Sequence, residues 1–483
     1  MLRTDFASWE RIPAMNHSNL THALVGAAIL LGGVVTAAGQ EIGLQVPHSV
    51  RPAAEEVPVP LPEVEACDGL TLEQLEQLAL ASNPSLQRAA ALVGAARGTW
   101  VQVGLAPNPS VGYEGQQLGS GGLAEQHGVL FSQEIVRGGK LGLNRAIAGT
   151  EQMRLEQELA AQELRVLTDV RIAFYQVLLA QRQIELTNNL IQISSEGSHA
   201  ADALFRADEV GRTDVLQAQL ETEGAQILAQ NAQHRRNAAW QSLAAVVGDP
   251  MLGPQTLIGD AVGPPREFEF QQALNRLLTT SPEIAAASMA VDRARVAIER
   301  ERVEPIPNVT VQGLVNWQDN GIAGKPDGGV AVSVPIPIFN RNQGGVARAQ
   351  QEFVAARRAL TQLELDLQNR LAPTFERYAN ARNQVKRYRE VILPTADESL
   401  GLTRKMYAAG EANYTTLLTS QRTYAHTQLA YLDAVRALRI AEVQIEGLLL
   451  AGSLDSRSSG TSDLESSAGV QTAPVGAIGL VPQ

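Results

Sequence analysis

Residues 302–313 read RVEPIPNVTVQG, and residues 104–115 read GLAPNPSVGYEG. Each stretch places two prolines one residue apart and follows them with a short alternating run ending in glycine. Proline lacks a backbone N–H and pushes the residue before it out of the α region, so each pair ends any helix that leads into it. The run that follows has the period of a strand. Both stretches mark one event, a helix handing over to a strand, and the chain writes it twice.

The duplication reaches well beyond these lines. Pro84 and Pro282 are 198 residues apart, and the same offset joins Arg97 to Arg295, Pro107 to Pro305 and Pro109 to Pro307. Ser132 and Ser333, like Ile135 and Ile336, are 201 apart. FRADEVGRTDVLQAQ from Phe205 falls on YAAGEANYTTLLTSQ from Tyr407 at an offset of 202. A register held this long with so little drift is a duplicated structural unit. The chain divides into a signal peptide (1–39), a Pro-rich leader (40–69), a first repeat (70–250), a linker (251–266), a second repeat (267–451) and a Ser/Gly-rich disordered tail (452–483).

Within each repeat the reading is helix, helix, hairpin, long helix, turn, return helix. Thr71 opens the first helix, and LTLEQLEQLALASN keeps leucines on one face. The second helix runs from Pro84 to about Val103, and its counterpart from Pro282 to about Val303. In NVTVQGLVNW, Val309, Val311, Val315 and Trp317 alternate with Asn308, Thr310, Gln312 and Asn316. GVAVSVPIPIF extends the pattern through Val330, Val332, Val334, Ile336 and Ile338. The first repeat repeats this with PSVGYEGQQ and GVLFSQEI around the loop LGSGG, as the second does around DNGIAGKPDGG.

The long helices follow. No proline occurs between Pro109 and Pro250, so one helix from about Leu143 to Phe205 is expected. Val170, Val177, Ile184 and Ile191 are each seven apart, as are Leu371, Tyr378, Val385 and Ile392, which is the seam of coiled-coil packing. Pro373 and Pro394 are expected to kink the second long helix. Tight turns at Asp208–Thr213 and Gly410–Thr415 reverse the chain, and return helices reach about Val247 and Leu450.

Composition narrows the function. With 39 Lys+Arg against 51 Asp+Glu and a net charge of −12, the chain lacks the basic surface of a nucleic-acid binder. A single cysteine, Cys67, provides neither a disulfide framework nor a Cys-based zinc site, and it lacks the apolar run that precedes a lipidated cysteine. Ala23–Ala38 is the one long apolar run; it is short for a spanning helix and ends in small residues, as a signal peptide does. A membrane passage by the mature chain would then need a β-barrel, and two hairpins leave a barrel with open edges. The histidines are scattered, and RGGK at Arg137–Lys140 lacks phosphate-loop spacing, so neither a catalytic site nor a metal or cofactor site is read.

The duplicated order, with SQEIVRGGKLGLNRAIA (Ser132–Ala148), VPIPIFNRNQGGVARAQ (Val334–Gln350) and the two turn segments, resembles the outer membrane efflux proteins, the TolC-like channels. The stretches before the long helices look most like the branch serving cobalt–zinc–cadmium exporters. That resemblance implies a mainly α fold with a β-barrel part. Three subunits would share a twelve-stranded barrel in the outer membrane, with a helical coiled-coil tunnel in the periplasm. It implies a homotrimer that passively exports heavy-metal cations, partnered by a periplasmic membrane-fusion adaptor and an inner-membrane resistance–nodulation–division pump, with lipid around the barrel. A duct for drugs or secreted proteins, or a periplasmic coiled-coil scaffold without a pore, are the competing readings.

The resemblance also implies roles. Pro107, Pro109, Pro305 and Pro307 would mark the helix–barrel junction. Asp208, Glu209, Arg212, Asp214, Glu411, Tyr414 and Thr416 would form the periplasmic gate and adaptor contact, with Asp214 matching the family's gate aspartate and Thr416 departing from it. From the residues alone, Asp214 also reads as a helix N-cap whose capping box is closed by Gln217. Tyr113, Phe131 and Trp317 read equally as an aromatic girdle or as plain strand packing.

Overall fold

A computed structural model describes residues 69–116, 118–119, 126–318 and 326–455. The signal peptide, nearly all of the leader, most of both hairpin loops and the tail beyond 455 lie outside the described residues. The elements are α1 (Leu72–Ser82), α2 (Pro84–Gln102), β1 (Ser110–Gln116), β2 (Gln126–Ile135), α3 (Lys140–Arg206) and α4 (Arg212–Val247). The second set is α5 (Phe270–Thr280), α6 (Pro282–Val303), β3 (Val309–Gln318), β4 (Asp327–Ser333), α7 (Gln343–Arg387), a π-helical turn (Tyr388–Ile392), α8 (Leu393–Ala408) and α9 (Tyr414–Glu446).

Local chemistry explains the element ends. Thr71 caps α1 through a capping box with Gln74. Pro84 and Pro282 sit in the first turns of α2 and α6, where a missing N–H costs nothing. Asn83 is fully buried and caps α2; its Nδ2 also donates to Val246 O at 2.6 Å, tying the α1–α2 corner to the end of α4. α3 holds 67 residues in one helix, on the order of 100 Å at 1.5 Å per residue.

The core runs along α3. Val166, Val170, Val177 and Leu179 are fully buried and pack with Leu75 of α1, Leu243 of α4, Tyr378 of α7 and Leu438 of α9. Charge stitches the helices beside it: Glu283 of α6 accepts from Arg165 of α3 at 2.7 Å and from Arg370 of α7 at 2.9 Å.

Two expectations are corrected here, the heptad seam and the end of β4. Pro373 lies inside α7. Pro394 is accommodated by the π turn, in which Leu393 N–H reaches back to Tyr388 O. That turn inserts one residue, so the buried seam Leu371, Tyr378, Val385 resumes at Leu393, Leu400 and Tyr407, and Ile392 is turned outward at 39% exposure. The second correction is the end of β4. It stops at Ser333 because Pro335 and Pro337 cannot donate to a ladder, and Val334–Phe339 is a strap in which Ile338 N–H bonds Ile336 O.

The linker is clasped to α9 by buried charge. Arg439, 6% exposed, donates to Ala261 O at 2.9 Å, Gly263 O at 2.6 Å and Glu442 at 2.6 Å. Glu442, 3% exposed, also accepts from Arg266 N at 2.9 Å. Tyr378 Oη donates to Arg266 O at 2.7 Å, completing the attachment.

Candidate channel wall and tip

Pro107 and Pro109 lie between α2 and β1, and Pro305 and Pro307 between α6 and β3. Side chains join the two crossings. Gln133 Nε2 donates to Pro107 O at 2.9 Å, Asn308 Nδ2 to Glu134 at 2.7 Å, and Arg137 N to Asn308 Oδ1 at 3.3 Å. Gly138, at φ +72°, stands where a Cβ would meet Ile306 at 3.0 Å, so the return from β2 requires glycine.

Beyond the prolines the four strands form one antiparallel sheet in the order β1-β2-β3-β4. The register gathers Val111, Tyr113, Val129, Phe131, Ile135, Val309, Val311, Val315, Val330 and Val332 on one face. Most of these are exposed, Val330 by 81% and Val111 by 72%. The other face carries Ser110, Glu114, Ser132, Glu134, Thr310, Gln312, Asn316 and Ser333, with Leu130 paired to Leu314 among them. A sheet that shows its apolar face outward and its polar face to the other side has the alternation of a membrane barrel wall. Among the described residues, β1 and β4 are unpaired on their outer edges. Toward the loops, Tyr113 stacks on His127 at 6.1 Å and lies 6.4 Å from Trp317, while Phe131 sits at mid-strand on the apolar face.

At the far end the two repeat turns superpose in kind. Asp208 at φ 60° and Gly410 at φ 73° are repeat counterparts in the left-handed region. Glu209 N–H bonds Leu204 O and Glu411 N–H bonds Met406 O, each at 2.9 Å, closing matched Schellman turns. Asp208, Glu209, Arg212, Glu411 and Thr416 are exposed, Asp214 is half-buried, and Tyr414 is 2% exposed. Tyr414 is therefore placed in the tip core. Among the described residues Arg212 forms no ion pair with Asp208, Glu209 or Asp214.

The capping expectation for Asp214 is overturned. Gly211 is the N-cap of α4 and makes no side-chain cap bond; Asp214 stands in the first helical turn, its N–H bonded to Gly211 O. There its carboxylate complements the positive end of the helix. In the second repeat Asn413 does the capping, accepting from Thr416 N at 2.9 Å.

The tip is held by a core that the sequence reading missed. Ala201 of α3, Ala218 of α4, Leu400 and Tyr407 of α8, and Tyr414 and Leu417 of α9 pack together. Tyr407 and Tyr414 meet edge to face at 5.9 Å. Glu221 of α4 pairs with Arg422 of α9 at 2.9 Å. Two tyrosines bracketing the glycine turn in YAAGEANY were the available signal.

Burial, with the nearby Glu221, Tyr407 and Asp214, pushes the Tyr414 phenol up to about 12. Burial and Asp214 raise Tyr407 in the same direction. A raised phenol favours the protonated, folded state, so its contribution is complete below pH 10 and lost as pH climbs through about 12. Tyr414→Phe is expected to flatten the loss of stability across that window, by about 2 kcal/mol, in unfolding followed by circular dichroism. An unchanged alkaline slope would show that the phenol is free to ionise in the fold.

Among the described residues no helix is long and apolar enough to cross a membrane, and no cluster of three or more His, Cys, Asp or Glu is placed to hold a metal ion. Comparison with known proteins meets this architecture directly. The outer membrane efflux protein family matches residues 75–249 and 273–449, one span per repeat. The chain is 26% identical to the cobalt-zinc-cadmium resistance protein CzcC of Cupriavidus metallidurans, over 81% of this chain and 92% of CzcC. It is 25% identical to the alkaline protease secretion protein AprF of Pseudomonas aeruginosa, over 61% of this chain and 62% of AprF. The fold matches a crystal structure of CusC with a TM-score of 0.66 at 18% identity, covering 79% of this chain and 92% of that one. Two family spans, one on each half of a duplicated helix–hairpin–helix chain, leave one assignment: this chain belongs to the outer membrane efflux protein family.

Proposed function

We propose that three copies of this chain form the exit duct of a tripartite efflux system, passively exporting heavy-metal cations. A periplasmic adaptor connects the duct to an inner-membrane resistance–nodulation–division pump, which supplies the energy. The observation that carries the duct is the sheet, apolar on its exposed face, polar on the other, and open at both edges. Three such sheets joined edge to edge give twelve strands and remove every open edge. The likeness to CzcC supports metal cations as cargo. The weaker likeness to AprF favours a second reading, a duct for a secreted protein.

Deleting the gene separates the two readings. Lost growth on zinc, cobalt or cadmium, with secretion intact, is expected; lost secretion with normal metal tolerance would sink the metal reading. Purified from membranes, the chain is expected to be a trimer that conducts in a planar bilayer.

The exposed tip residues Asp208, Glu209, Arg212, Glu411 and Thr416, with Asp214, are proposed as the gate and adaptor contact, and the four prolines as the junction between tunnel and barrel. Three copies of Asp208, Glu209 and Asp214 about one axis would attract cations. Asp214→Asn and Asp214→Ala should both raise resting conductance and weaken cation preference in single-channel recordings. If Asp214 serves only the helix dipole, each costs about 0.3–1 kcal/mol of stability and selectivity does not move.

A further inference from the structure

Next to the tip core, α3, α8 and α9 line an open cavity of about 430 Å³ whose walls include Ile193, Leu204 and Leu417. Its polar groups are unusual in kind. Tyr407 is 4% and Gln421 5% exposed. Among the described residues, Tyr407 Oη, Gln421 Nε2 and Arg404 Nη2 are all buried without a hydrogen-bond partner, and all three line this cavity. Each can donate, and buried donors left unpaired are costly and rare.

The nearest acceptor does not satisfy them. Glu196 Oε2 lies 3.9 Å from Arg404 Nη2, beyond hydrogen-bond reach, and Glu196 Oε1 is taken by Gln192 at 3.1 Å. Glycine keeps the space open: a Cβ at Gly197 would stand 3.2 Å from Gln421 Nε2. The result is a concave apolar pocket with a few convergent donors, of a size that small ligands fill. Glu196 also lines the pocket, its carboxylate turned toward Arg404 at 3.9 Å.

We propose that this cavity binds a small organic carboxylate. The apolar body packs against Ile193, Leu204 and Leu417. The carboxylate oxygens accept from Gln421 and Tyr407 at the buried base, and Arg404, whose side chain is 36% exposed, sits at the mouth and is shared between the ligand and Glu196. Bound there, the ligand bridges three helices and stabilises the packing beside the tip.

Hexanoate titrated calorimetrically into the full chain, held in an amphipathic polymer free of detergent, tests this. Binding is expected with a Kd on the order of 1 mM or tighter. Gln421→Leu and Gly197→Ala, which remove the donor and fill the space from opposite walls, should each weaken it by about tenfold or more. Both variants must retain the parent's circular dichroism and size, and two independent variants guard against one that misfolds. Hexanol, hexylamine and hexanamide should bind at least about tenfold more weakly than hexanoate. Equal binding of hexanol or hexanamide, indifference to both variants, or no binding at all would overturn the proposal, the last leaving ordered water as the donors' partner. Displacement by inorganic phosphate at equal concentration would also overturn it, since a bare anion would then suffice. The readout is heat and not conductance, so its failure leaves the duct reading standing.

Discussion

Replacing Arg439 with methionine is expected to destabilise the folded chain by about 3–5 kcal/mol, the cost of breaking a buried pair from one side. Arg439 is 6% exposed and bonds two linker carbonyls, Ala261 O and Gly263 O, besides Glu442. Methionine fills most of the volume but leaves those carbonyls and the Glu442 carboxylate without their donor, in a place that water does not reach. Glu442 keeps only the Arg266 backbone N–H at 2.9 Å. Since the linker joins the two repeats, the loss should appear as one lowered thermal transition in circular dichroism. The double variant Arg439→Met with Glu442→Leu removes both charges and should recover part of the loss. If the single variant costs under about 1 kcal/mol, the guanidinium is not the clasp described.

The second large effect concerns the sheet. Phe131→Arg sets a charge at mid-strand on the face shared with Val111, Val129 and Val315, where Phe131 is 47% exposed. If that face meets lipid, the substitution should cost about 2–4 kcal/mol and lower the yield of assembled protein in the outer membrane. Ser132→Arg, one residue on, points to the other face beside Gln312. It should assemble normally and change conductance instead. Equal stability losses at both positions would mean that neither face is lipid and that the sheet packs against protein.

Much of this architecture was legible because its signals are local. Proline ends α2 and α6 wherever it stands, since the missing N–H and the fixed φ belong to the residue itself. The alternation of NVTVQGLVNW has a strand's period whatever lies beside it, and the repeat offsets carry the same order into both halves. Helix, hairpin and turn were therefore readable in sequence, as was the family they resemble.

What remained depends on contacts between distant segments. A count of sevens put Ile392 on the buried seam, but the π turn before Pro394 adds one residue and passes the seam to Leu393 and Leu400. Asp214 had the composition of a cap, yet the chain enters α4 through Gly211 and leaves the aspartate inside the first turn. Tyr414 stands in a turn that the resemblance assigns to gate and adaptor contact, and four helices converge there and bury it against Tyr407. Arg439 carries no signal of its own in the sequence, because the carbonyls that bury it belong to the linker, some 176–178 residues away. Periodicity and proline act through a residue's own backbone, so the sequence alone determined the elements and their order. Burial and charge pairing need neighbours brought from far along the chain, and only the tertiary structure decided those.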